Sequence, residues 1–116
     1  MDQEKIHSYA LKWLQIYEDD NTPGGLLEED FAPDCFDLGF EMDCGTSFED
    51  RYSFEAFSKP EAFSEVVESI IDPMFLGSAI FSKWRGITHW WNEDLFEPRN
   101  RAWFITAFKR LAEITE

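Results

Sequence analysis

Apolar side chains recur every three to four residues in four separate stretches of this chain, a period that fits helices packed on one another. The first stripe is Ile6, Tyr9, Ala10, Trp13, Leu14 and Tyr17. The second is Ala62, Phe63, Val66, Val67, Ile70 and Ile71, and the third is Phe75, Leu76, Ala79, Ile80 and Trp84. In the last, Phe104, Ala107, Phe108 and Leu111 share a face and Trp103 lies beside them. Local signals bound these stretches. Asp2 is placed to cap the first helix and Glu4 suits its dipole, although Lys5 stands where a capping box needs Glu or Gln. The turn residues Asn21, Thr22, Pro23, Gly24 and Gly25 end it near Asp19. Ser58 and Glu61 have capping-box spacing around Pro60, and Asp72-Pro73 closes one helix and opens the next. Gly86 reads as a stop, and the last helix begins near Pro98 with Lys109 and Arg110 in its later turns.

Two segments are less regular. Residues 26–38 predict a second helix, imperfect because of Pro33, which removes a donor and clashes one turn back; the helix could instead begin near Pro33. Gly39 suits its end. Residues 40–58 allow a short strand through Phe40, Met42 and Cys44, or a loop with one helical turn around Phe48 to Tyr52. The expected fold is all-α, one compact domain of five to six helices over residues 1–116. The alternative is a small α+β domain with a short hairpin in residues 36–52.

A chain of 116 residues buries enough surface to fold without a metal or disulfide. Twelve Phe, five Trp and three Tyr supply a large core, or leave aromatic surface for a partner. The first twenty residues lack the pattern of a signal peptide, and no stretch of about eighteen uninterrupted apolar residues is present. Only two cysteines occur, Cys35 and Cys44. A cytoplasmic location with both thiols reduced is the expectation.

Charge narrows the partner. The net charge is −14, which disfavours nucleic acid and anionic membranes, because both are bound through Lys and Arg. Residues 1–58 hold 15 acidic and 3 basic side chains, whereas residues 59–116 hold 9 and 7. No basic residue lies between Lys12 and Arg51. Exposed like charges repel by a few tenths of a kcal/mol per contact, and a basic protein would relieve them and associate at up to roughly 10⁸–10⁹ M⁻¹s⁻¹ at low salt. The candidate contact residues are Asp19, Asp20, Glu28, Glu29, Asp30, Asp34, Asp37, Glu41 and Asp43, joined by Trp90 and Trp91 from the run FSKWRGITHWW. Trp and Arg carry much of the energy of binding hot spots. The competing reading is a solvated face and a structural Trp cluster.

Catalytic and metal motifs do not emerge. Glu41 and Asp43 alternate as in a calcium loop, but Gly45 stands at the next ligand position and the required glycine is missing. The spacing of two Cys and two His fits no zinc motif, and no phosphate loop occurs. No cofactor or metal is expected. Cys44 could act as a nucleophile with His89 as base, but its acidic neighbours would raise a thiol pKa rather than lower it. The sequence is therefore read as a non-enzyme, with a small-molecule-binding domain or small enzyme using Cys44 and His89 as the alternative. A monomer or weak homodimer is expected.

The runs GFEMDCG, LGSAIFSKWRGITHW and NRAWFITAFKRLAEI, within residues 39–114, resemble a group of short uncharacterised bacterial proteins, a resemblance that carries no catalytic residue with it. In size, acidity and compactness the chain is similar to immunity proteins of toxin systems, including contact-dependent growth inhibition. That similarity implies a protein that binds and neutralises a basic toxin domain, such as a nuclease, its carboxylates covering the toxin's basic surface or mimicking substrate phosphates.

Overall fold

The computed structural model describes residues 2–19, 24–41, 45–91 and 93–116, with segments 24–29 and 45–46 as backbone. It is all-α, and no strand occurs among the described residues. The elements are α1 (Gln3–Glu18), α2 (Gly24–Asp37), α3 (Gly45–Arg51), α4 (Phe54–Ser58), α5 (Pro60–Val66), α6 (Pro73–Arg85) and α7 (Pro98–Ile114). A 3₁₀ turn (Val67–Ser69) follows α5, and one π turn (Gly86–Trp90) follows α6.

Helices α1 and α7 lie side by side and hold much of the core. Tyr17 of α1 stacks on Phe104 of α7 at 4.9 Å, and Tyr9 meets Phe108 edge-on at 5.8 Å. His7 ties the ends together, its Nδ1 lying 3.1 Å from the Ala112 carbonyl and from Thr115 Oγ1. Phe31 of α2 packs on Phe81 and Trp84 of α6. Phe63 of α5 stacks on Trp103 of α7 at 4.2 Å. Each such side chain, fully buried, contributes roughly 1.5–3 kcal/mol. Gly77 of α6 is small because Phe40 fills the place of its side chain: a Cβ there would meet the Phe40 ring at 2.2 Å.

Several expected boundaries hold. The Asp2 carboxylate accepts from Lys5 N–H (3.2 Å), and that of Asp72 accepts from Met74 N–H (3.0 Å). Gly39 ends α2 at φ +79°, where a side chain would be strained. Others move. The helix in residues 26–38 starts earlier, at Gly24, and continues through Pro33, held by burial of Phe31 and Cys35. The hairpin alternative fails: within residues 36–52, α2 ends, Gly39 turns the chain, and α3 occupies Gly45–Arg51. Ser58 does not cap α5. It is the last residue of α4, which starts at its own cap, where Ser53 Oγ accepts from Ala56 N–H (3.0 Å). Pro60 then forces Lys59 into extended backbone, and Lys59 becomes the boundary of α5 without a side-chain bond. Ile71 falls beyond the 3₁₀ turn and is exposed. Gly86 does not stop α6. It keeps right-handed helical angles and leads into the π turn, closed by Trp91 N–H donating to the Gly86 carbonyl at 2.8 Å.

Candidate functional site

Two charged regions stand out. The first is the acidic half. Glu18 at the end of α1, Asp30 and Asp37 in α2, Glu41 after it, and Glu49 and Asp50 in α3 are exposed, and none forms an ion pair among the described residues. Asp19 is exposed as well. Asp34 differs: its Oδ2 accepts from Lys12 Nζ at 2.7 Å and from Trp13 Nε1 at 2.9 Å. That carboxylate binds α2 to α1 and is committed inside the fold. Lys5 and Lys12 join Asp34 and Asp37 along the α1–α2 groove, and Arg51 lies beside Glu41 and Asp72 in a second shallow cleft. The acidic run is thus partly balanced in space at its ends, though not in sequence. Asp20 and Asp43 lie outside the described residues, as do the side chains of Glu28 and Glu29.

The second region centres on Lys83. This lysine is 1% exposed. Its Nζ donates to the carbonyls of Phe57 (2.7 Å) and Ser58 (3.4 Å), the last two residues of α4. These carbonyls have no helical donor of their own, so the ammonium terminates the helix. Three rings surround it, those of Phe57, Trp91 and Trp103, with centroids 5.5, 5.4 and 5.2 Å from Nζ. Burial, with some help from the Arg99 charge, lowers the Lys83 pKa to about 8, and Glu93 opposes the shift.

Above Lys83 opens a cleft of about 310 Å³, lined by Phe54, Ser58, Lys59, Trp91, Glu93, Arg99 and Asn100 as well as by Lys83 itself. Asn100 is 1% exposed, and its Nδ2 donates to Glu93 Oε1 (3.2 Å) and to the Asp94 carbonyl (3.0 Å). The first turn of α7 is thereby joined to the loop that carries Glu93.

The aromatic run divides. Trp84 is buried. Trp90 is exposed, with the Arg85 guanidinium 6.0 Å from its ring. Trp91 lines the cleft with Lys59, Lys83 and Arg99, apart from the carboxylates of the acidic half. His89 is exposed and meets Trp84 edge-on at 5.6 Å. Cys44 lies outside the described residues, so the Cys44–His89 pairing has no geometry to weigh. Cys35 is a free, buried thiol beside the Tyr9 hydroxyl (3.4 Å); burial pushes its pKa up to about 12, which leaves it unreactive. Among the described residues no group of three or more His, Cys, Asp or Glu could hold a metal ion, and no helix is long and apolar enough to cross a membrane.

Lys83 and Asn100 were missed in the sequence, although a signal exists. Lys83 sits three residues after Ile80 and seven after Leu76, on the apolar stripe of α6. Asn100 stands in the same relation to Trp103, Phe104 and Ala107 in α7. A polar side chain at a stripe position is a buried polar group, and such a group needs partners.

No family model, no curated protein and no solved structure matches this chain.

Proposed function

We propose that this chain is a non-catalytic binding protein of the immunity type, which takes a basic toxin domain against its acidic half and blocks it in the cytoplasm. The observation that carries the reading is the set of exposed carboxylates that form no ion pair among the described residues: Glu18, Asp30, Asp37, Glu41, Glu49 and Asp50. Their mutual repulsion does nothing for the fold, and a cationic protein surface relieves it while drawing the partner in quickly. Asp34 is withdrawn from the contact set because Lys12 and Trp13 hold it. Nucleic acid and anionic lipid stay outside the proposal, since the same charge repels both.

The test is affinity capture from the source cells, with low-salt washing and elution in a salt gradient. A basic protein retained in stoichiometric amount and released early in the gradient is expected, and its activity should fall when this chain is added back. A retained partner of acidic or neutral charge, or a basic one whose activity is unchanged in the complex, would contradict the reading.

A further inference from the structure

The cleft over Lys83 concentrates positive charge in a strongly negative molecule: Lys59, Lys83 and Arg99 against Glu93. We propose that it binds a small organic monocarboxylate with a flat apolar body, the carboxylate held by Arg99 and Lys59 and the body lying between Trp91 and Phe54.

The cations have capacity to spare. Arg99 reaches Glu93 at 3.4 Å and Glu97 at 3.8 Å, both longer than the roughly 2.7–2.9 Å of a good charge-assisted bond. A guanidinium has five N–H donors in a fork that fits a carboxylate. Lys59 is exposed and has no ion-pair partner among the described residues. Lys83 already donates to two carbonyls, so it adds field from below rather than a bond.

The walls are apolar, open and fixed. Phe54 is 59% and Trp91 is 41% exposed, and large apolar side chains in such positions gain from being covered. Trp91 is nevertheless held in place. Its ring lies so close to Gly86 that a Cβ there would come within 3.1 Å of it, and its N–H closes the π turn on the Gly86 carbonyl. The volume, about 310 Å³, lies at the small end of ligand pockets, roughly 300–1,000 Å³. A small cation excess inside a net charge of −14 suits one negative charge better than the two of a phosphate dianion.

The test is an NMR titration of the full chain with benzoate, phenylacetate and indole-3-acetate at millimolar concentration. Their neutral amides and inorganic phosphate serve as controls. The Trp91 indole N–H, the Arg99 Nε–H and the Asn100 side-chain amide should shift and saturate with the acids and not with the amides. Arg99→Gln should weaken binding by about tenfold or more, and Trp91→Ala should weaken it several-fold while leaving the spectrum of the rest of the chain folded. Affinity should fall as pH rises past about 8, where Lys83 loses its proton. No saturable shift with any of the acids overturns the proposal. So do equal shifts with the amides, or tighter binding of phosphate than of the acids.

Discussion

The acidic half and the Lys83 cleft are both charged, yet they are built in opposite ways. Glu18, Asp30, Asp37, Glu41, Glu49 and Asp50 stand in water and form no ion pair among the described residues. Lys83 is enclosed by two carbonyls and three aromatic rings. Solvation explains the difference. An exposed carboxylate keeps its water and costs a few tenths of a kcal/mol in repulsion, so nothing compels the fold to pair it. A buried ammonium loses its water, a penalty of several kcal/mol, so every proton must find an acceptor and every open side a π face. Where charge is cheap to carry, its placement is free to serve a partner. Where it is dear, its placement is dictated by the fold, and only the open side above it is left for a ligand.

The largest effect should fall in the core beside Lys83. Trp103 donates its indole N–H to the Ala56 carbonyl at 3.0 Å and stacks on Phe63. Trp103→Ala should cost about 3–5 kcal/mol in urea unfolding; a loss near zero would show that the packing around Lys83 is not core. Next comes Asp34, a carboxylate of the acidic half that ties α2 to α1. Asp34→Ala strands Trp13 Nε1 and should cost about 1–3 kcal/mol, against less than about 0.5 kcal/mol for Asp30→Ala or Asp37→Ala. Equal costs for all three would erase the distinction between paired and free carboxylates.

The buried charges set the pH dependence. Between about 8 and 10.5 the unfolded chain holds a proton that folded Lys83 has lost, so this residue makes stability rise with pH. Cys35 acts the other way. Its unfolded thiol ionises near 9.0 and its folded one near about 12, so stability falls across that range. The two offset each other between about pH 9 and 10.5, above which Cys35 alone lowers stability, so the net rise is confined to pH 8–9, at about 1 kcal/mol. Lys83→Met should abolish it, as denaturant midpoints at the two pH values would record. A rise that persists in Lys83→Met belongs to another group. The smallest effect on stability, within about 0.5 kcal/mol, is expected for Asp30→Lys with Asp37→Lys, although this pair should slow association with a basic partner at low salt.

The helices that proved legible in the sequence are those whose signals are local. Asp2, Asp72-Pro73 and Pro98 mark true starts, and the stripes of α1 and α7 face each other as their period requires. Helices α3 and α4 are 7 and 5 residues long, too short for a period to emerge. They exist through long-range packing, such as Phe48 on Phe75 and Trp103 under Ala56. The aromatic run was legible as a cluster but not as a partition, because its outcome turns on Gly86. That residue was read as a stop, and it serves instead as the close approach that sets Trp91. Lys83 and Asn100 were overlooked because charge and polarity suggested surface, while their positions on the stripes said core. The Asp34 contact with Lys12, 22 residues away, needs the packing of α2 on α1 and leaves no local trace.

The most direct test of the central claim is a parallel capture from source-cell lysate on three immobilised chains: the wild type, Asp30→Lys with Asp37→Lys and Glu41→Lys, and Arg99→Gln with Lys59→Ala. The account predicts that one basic protein binds the wild type and the cleft variant alike and is lost, or released at much lower salt, from the acid-reversed chain. Equal retention by the acid-reversed chain, or loss from the cleft variant alone, would contradict it.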